Sequence, residues 1–308
     1  MLGGVFSPTT YAQAPGRTAN PIREAAHATM SAGQAAILGL VEGATEYLPV
    51  SSTGHLLLTQ HLLGIDSSGK SKTAIDAYEI CIQAGAILAV LLLYARRVRS
   101  IVAGVFGKDQ AGRRLAINMV AAFLPAAIIG FILEKPIKHY LFGMWPVVLA
   151  WFVGGVAILL VSRKRNPTQD VALGRQLEQL SVSQALIIGG MQCFAMWPGV
   201  SRSLITILGG MLVGLSAVAA VEFSFLLGLV TLSAATLFEA VQNGSEIIHV
   251  FGWINPLIGF AVACVSAVVA VKWMVGYLNR HGLAIFGYYR IALGVIIAGL
   301  LLIGSIAK

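Results

Sequence analysis

Charge is what this chain has least of. Asp, Glu, Lys and Arg make up 11% of its 308 residues, against about 25% in a typical soluble domain. So few charges cannot cover a water-facing surface, which excludes a soluble Rossmann-type enzyme and a disordered regulator. Cysteine is scarce too: Cys81, Cys193 and Cys264 lie inside apolar stretches and form no CxxC. They read as small packing residues, which excludes a disulfide scaffold and a cysteine metal site. Strict apolar/polar alternation is missing from the apolar runs, and this argues against an outer-membrane barrel. Residues 1–24 lack a hydrophobic signal core and have the polar, Pro- and Gly-containing composition of a disordered tail.

What is present is apolar sequence, 57% of the chain, with a mean hydropathy of +0.82. The expectation is an all-α polytopic membrane protein, a single integral membrane domain over 25–308. Six stretches have the roughly 20 apolar residues that a spanning helix needs: 77–95, 115–133, 140–161, 221–239, 253–271 and 286–305. The net charge of +8 sits between these runs. There it sets topology and meets anionic lipid headgroups, so the basic balance implies membrane lipid and no nucleic acid. Basic connections at 96–114 (Arg96, Arg97, Arg99, Lys108, Arg113, Arg114), 162–182 (Arg163, Lys164, Arg165, Arg175) and 272–282 (Lys272, Arg280) contrast with 240–252, which has no Lys or Arg. The positive-inside rule places the three basic connections in the cytoplasm and both termini outside.

Two apolar regions, 25–65 and 180–220, are interrupted in the middle by EGATEYLPVSSTGH and MWPGVSRS. Each fits two full spans or two half-helices meeting inside the membrane. The interruptions carry Pro, Gly, Ser and ionisable groups rather than surface-type Lys/Arg flanks, which favours two re-entrant helical hairpins. The two also superpose without a gap, ILGLVEGATEYLPVSS (37–52) on IIGGMQCFAMWPGVSR (187–202). Glu42 falls on Gln192, Tyr47 on Trp197, Ser51 on Ser201 and Ser52 on Arg202. A hairpin plus three spans is an odd number of crossings. The plan is therefore an inverted repeat, 25–161 and 180–305, with its site near the midplane where the broken helices meet.

Glu42 and Glu46 are spaced i, i+4, so on a helix both carboxylates share one face. Surrounded by apolar residues, they would share a proton or be compensated by a cation, an arginine or a metal ion. Ser51, Ser52, Thr53 and His55 follow at once. A serine beside a carboxylate and a histidine is the usual setting of an activated nucleophile. In the second interruption Gly199 permits a tight turn, and Ser201, Arg202, Ser203 and Thr206 begin a helix whose free N–H groups suit an anion. Arg202 is the only Lys or Arg between Arg175 and Lys272, and its planar fork matches phosphate or one of the two glutamates. Glu79 and Glu222 read as hydrogen-bond partners of the broken hairpins. Glu239 is a further intramembrane acid, and His61, His139, His249 and His281 read as interfacial.

EGATEYLPVSSTGH, YEICIQAGAI, PGVSRS with Thr206, and EFSFLLG together resemble the bacterial undecaprenyl-diphosphate phosphatase (bacitracin-resistance) family over roughly 31–305. The resemblance implies removal of the terminal phosphate of undecaprenyl diphosphate, recycling a lipid carrier of cell-wall precursors. It also implies a multi-pass protein of the bacterial inner membrane, an active site facing the periplasm, and a divalent cation, Mg²⁺ or Ca²⁺. Its paired acids correspond to Glu42 and Glu46, which would hold the metal or supply a base. Its nucleophile corresponds to Ser52 or His55, and its phosphate-binding pair to Ser201 and Arg202. The polyprenyl tail would lie between apolar helices, and the plan accommodates a homodimer. Two departures stand out. Leu204-Ile205 replaces the usual Gly-Ala and puts bulk next to the phosphate loop, and Gly228-Leu229-Val230 stands where the family commonly has a proline. The alternative is a lipid-phosphate transporter or flippase, since inverted repeats of broken helices suit alternating access.

Overall fold

A computed structural model describes residues 30–65, 69–141, 143–163 and 174–304. The expected tail at 1–24 lies outside the described residues, as do the side chains of His139, Glu239 and His249. Among the described residues all extended regular structure is helical. The helices are α1 (Ala32–Thr45), α2 (Ser52–Leu62), α3 (Gly69–Leu93), α4 (Ala95–Val105), α5 (Gln110–Tyr140), α6 (Met144–Arg163), α7 (Val182–Gln192), α8 (Arg202–Leu212), α9 (Ala217–Phe251), α10 (Ile254–His281) and α11 (Ala284–Leu302). Helices α5, α6, α9, α10 and α11 are long and apolar enough to cross a membrane. A sixth crossing is counted if α3 and α4 are taken as one broken span. Each of the six apolar stretches seen in the sequence lies largely on these helices, 140–161 mainly on α6 from Met144 and 286–305 on α11 as far as Leu302.

The connection after α3 differs from a simple loop. The chain bends by 83° at Tyr94 and continues as α4. Arg96 and Arg99 are exposed there, while Val98 and Ile101 pack on the core. With three arginines in its first five residues and an apolar side on the core, α4 is strongly amphipathic. Arg97 binds Glu178 and Glu222, each at 2.7 Å. Glu222 is therefore tied to the basic connection rather than to a hairpin, whereas Glu79 accepts from Gln60 of α2 as expected.

Both interrupted regions are built alike. Ser31 caps α1 in a capping box with Gln34, whose amide donates to Leu63 O at 3.2 Å. Ser181 caps α7 in the same way with Gln184, whose amide donates to Val213 O at 2.9 Å. Each first helix is thereby latched to the end of its second. At 14 and 11 residues, α1 and α7 are about 21 and 16 Å long, short of the ~30 Å hydrocarbon layer. Helix α1 packs on α10 and α7 on α5. A Cβ on Gly39 would strike Gly259 O, and one on Gly189 would strike Ala122 O. Glycine is needed at both positions because the backbones touch, the usual device for closing helices where no water drives them together. The pairs α3/α9 and α6/α11 pack around the two breaks, over a core that includes Tyr47, Phe223, Phe225 and Ile207.

Candidate active site

The two breaks meet. Ser203 Oγ donates to Leu48 O at 2.8 Å, and Arg202 Nη2 donates to Glu46 Oε1 at 3.0 Å. Helices α2 and α8 start here with Ser51 and Ser201 as N-caps, at φ 76° and 78°. A non-glycine residue at positive φ is strained, and such strain collects at functional sites. Each cap hydroxyl accepts a backbone N–H three residues on, from Gly54 and Leu204. Two helix N-termini are thus aimed at one place.

That place is a cavity of about 140 Å³ lined by Glu46, Ser51, Ser52, Thr53, Gln83, Trp197, Gly199, Ser201 and Arg202, among others. Its most polarised pair is Ser52 and Glu46, with Ser52 Oγ donating to Glu46 Oε2 at 2.5 Å. The other carboxylate oxygen holds Arg202, so Glu46 links a hydroxyl to a guanidinium. Arg202 also donates through Nη1 to Ser224 O at 2.9 Å, and its Nε is buried without a partner among the described residues. Arg202 is the one cationic side chain among the described residues lining the cavity, and its planar fork suits a phosphate oxygen. Gly228 makes this geometry possible, because a Cβ there would strike the Arg202 guanidinium.

The remaining predicted residues lie behind the cavity. Glu42, 2% exposed, does not line it. It sits one turn behind Glu46, under the charges of Glu46, Glu79 and Arg202. His55 is turned away, its Nδ1 bonded to Ser51 O at 2.6 Å and its Nε2 to Tyr289 Oη at 2.7 Å, with the two rings stacked. Thr206, fully buried, bonds Ser224 Oγ and Arg202 O, bracing α8 on α9. Ser203 braces Leu48 O. Leu204 is 1% exposed and points toward Gly154 of α6, so its bulk enters the core and not the cavity.

Several contributors were missed in the sequence. Gln83 lines the cavity and accepts from Thr236 Oγ1. Gly228 and Ser224 shape the Arg202 slot. Arg290 is fully buried and bonds the carbonyls of Pro49 and Gly199. A lone arginine in an apolar span was the available signal, since charge at a helix centre marks function by default.

A hard divalent cation suits these donors. They are carboxylate, hydroxyl and amide oxygens, and no group of three or more His, Cys, Asp or Glu among the described residues forms an all-protein cage. Mg²⁺ is typically held by one or two carboxylates and completed by substrate phosphates.

The model of the family described as "Bacitracin resistance protein BacA" matches residues 35–296. A protein of Sorangium cellulosum (strain So ce56) named "Undecaprenyl-diphosphatase" is 45% identical over 266 residues, covering 85% of this chain and 84% of that protein. "Undecaprenyl-diphosphatase 2" of Rhodospirillum rubrum is 43% identical, covering 86% and 93%. An "Undecaprenyl-diphosphatase" of Cereibacter sphaeroides (strain ATCC 17029) is 41% identical, covering 88% and 97%.

Proposed function

This chain belongs to the bacitracin resistance protein BacA family, and on that premise we propose that it hydrolyses undecaprenyl diphosphate to undecaprenyl phosphate and inorganic phosphate, recycling the cell-wall lipid carrier. The observation that carries the reading is the Ser52–Glu46–Arg202 chain in a cavity faced by two helix N-termini.

In this mechanism the N-termini of α2 and α8 and the Arg202 guanidinium hold the diphosphate oxygens. Ser52 Oγ attacks the terminal phosphorus while its proton passes to Glu46 Oε2. The bond from that phosphorus to the bridging oxygen breaks, and undecaprenyl phosphate leaves with the electron pair. Glu46 passes that proton to the departing phosphate or to solvent. Water then attacks the phosphoserine, and Glu46 takes the water's proton and returns it to Ser52 Oγ as the phosphorus–Oγ bond breaks, releasing phosphate and restoring the free serine. Arg202 neutralises charge on the transferring group, the main source of rate in phosphoryl transfer. Glu46, with the substrate's own phosphoryl oxygens, would hold Mg²⁺ or Ca²⁺, which when bound would supply Lewis-acid polarisation of phosphoryl oxygens, while Glu42 one turn behind would add only its charge. The hydrogen bond from Ser52 to the carboxylate favours it over His55 as nucleophile, because His55 is engaged elsewhere.

The reading includes an arrangement in the bacterial inner membrane. The breaks are tips of two re-entrant hairpins, the halves 25–161 and 180–305 are inverted repeats, and the cavity faces the periplasm. Support comes from the matched caps, latches and positive-φ serines of the two regions. An apolar groove of about 670 Å³ between α1 and α10 runs from Leu40 past Leu48, beside the first break, and offers the polyprenyl tail a path open to lipid.

The matched construction also favours a second reading, a lipid-phosphate carrier, because such repeats support alternating access. Phosphate release from undecaprenyl diphosphate by the purified protein, with Mg²⁺ or Ca²⁺ and then with chelator, separates the two. Metal-dependent release is expected. A well-folded protein that binds the lipid and releases no phosphate would overturn the phosphatase reading.

A further inference from the structure

Arg290 of α11 is fully buried, and none of its hydrogen bonds goes to a carboxylate. Nη1 donates to Pro49 O at 3.2 Å. Nη2 donates to Gly199 O at 2.9 Å and to Ala150 O at 2.8 Å, while Nε reaches Trp151 O at 3.4 Å. Pro49 and Gly199 are equivalent positions when 37–52 is superposed on 187–202. One guanidinium therefore holds the same carbonyl in both breaks, and it also holds α6. Gly154 leaves the space, since a Cβ there would strike Nη2.

Breaking a helix frees carbonyls that lipid cannot satisfy. Arginine is the one side chain with five N–H donors in a rigid plane and no acceptor. Burying its charge is costly unless the carbonyl dipoles around it compensate. Simple backbone satisfaction needs only one donor per tip, such as Trp151 Nε1 of α6, which donates to Val50 O at 3.1 Å. A shared donor adds a constraint between the tips. The adjacent Tyr289 reinforces it, because its hydroxyl holds His55, whose other nitrogen holds Ser51 O, the cap of α2.

We propose that Arg290 is a positioning residue that locks the two tips in register, so that Ser52 on one and Arg202 on the other address the same phosphoryl group. Catalytic relevance rests on the phosphatase reading, whereas the coupling of the tips does not. Displacing reacting groups by about 1 Å costs on the order of a hundredfold in rate. The effect belongs in kcat, because Arg202 and the helix N-termini remain to bind the diphosphate.

The test uses the purified full chain carrying Arg290→Lys, with Arg290→Met as neutral companion and Trp151→Phe as the one-tip control. Two readouts are made: backbone hydrogen exchange at residues 50–54 and 199–204, and kcat and KM for phosphate release from undecaprenyl diphosphate. Expected for Arg290→Lys are faster exchange in both tips together and a kcat lower by about a hundredfold with KM within about threefold. Trp151→Phe is expected to loosen the first tip alone. Unchanged exchange in Arg290→Lys, loosening of one tip only, or a change confined to KM would overturn the proposal. Arg290→Lys carries the test by itself if Arg290→Met does not fold. A wild type that releases no phosphate refutes the phosphatase reading, and the exchange data still decide whether Arg290 couples the tips.

Discussion

Glu46→Gln isolates the role of the central carboxylate. The exchange preserves volume but replaces one of two acceptor oxygens with an NH₂ donor. One oxygen of Glu46 holds Ser52 at 2.5 Å and the other holds Arg202 at 3.0 Å, so either orientation of the amide spoils a contact. Facing Arg202, the NH₂ opposes another donor. Facing Ser52, it turns the hydroxyl from donor into acceptor and removes its base. The Arg202 and Glu46 side chains are only 12% and 8% exposed, so water does little to compensate. Removing one partner of a buried ion pair costs about 3–5 kcal/mol, and general base catalysis is worth roughly 10²–10⁴ in rate. A fall in kcat of about a thousandfold is expected when roughly 4 kcal/mol of this is lost from the transition state. Phosphate release at saturating undecaprenyl diphosphate measures it, alongside Ser52→Ala and the double variant. If Glu46 works through Ser52, the double variant is no slower than Ser52→Ala. Additive losses, or a Glu46→Gln enzyme within about threefold of wild type, would refute the pairing as the source of the nucleophile.

His55→Gln should be milder, about tenfold in kcat, because the lost contacts to Ser51 O and Tyr289 support the cap rather than the reacting atoms. An inactive His55→Gln beside an active Ser52→Ala would transfer the nucleophile to His55. Gly43→Ala should lower thermal stability in detergent, since its methyl would meet Ala263 O and Ser266 Oγ where α1 touches α10. Overpacking of this kind costs about 1–3 kcal/mol, and an unchanged melting temperature would show that the helices part freely. At the α4–α5 corner, the Ser100 hydroxyl and then the Gly112 N–H hold the Asp109 carboxyl below its usual range. A depressed carboxylate stabilises the fold above its unfolded pKa, and that contribution fades as pH falls through the lower folded value. Exchange protection at the start of α5 should therefore drop in acid in wild type, and Asp109→Asn should flatten that dependence.

How much of the site was legible depended on the kind of signal. Glu46, Ser52 and Arg202 announced themselves as polar groups in apolar surroundings, each chemically able to serve a phosphate. Thr206 and Ser203 looked the same in sequence, yet their hydroxyls brace α8 on α9 and on Leu48 O. Hydroxyl orientation depends on which neighbour supplies an acceptor, and the linear pattern does not contain that. Gly154 was silent and Gly228 stood out only as a departure from the family's proline, because a glycine's purpose is the atom occupying its missing side chain, here a guanidinium from another helix. Leu204 seemed a threat to the phosphate loop and instead fills the core.

Composition and periodicity alone determined that this chain is helical and membrane-embedded, with six apolar stretches and two polar interruptions at matching places. Those features follow from one-dimensional facts: charge too sparse for water, runs long enough for hydrocarbon, and local caps that start and stop helices. The tertiary structure decided that the interruptions share one cavity, that Glu46 rather than Glu42 faces it, that His55 turns away, and that Arg290 bonds both breaks. These outcomes rest on contacts between residues such as Glu46 and Arg202, or Pro49 and Arg290, which are far apart in the chain. Such contacts form only when packing brings two unsatisfied groups together and excludes the lipid that could satisfy neither.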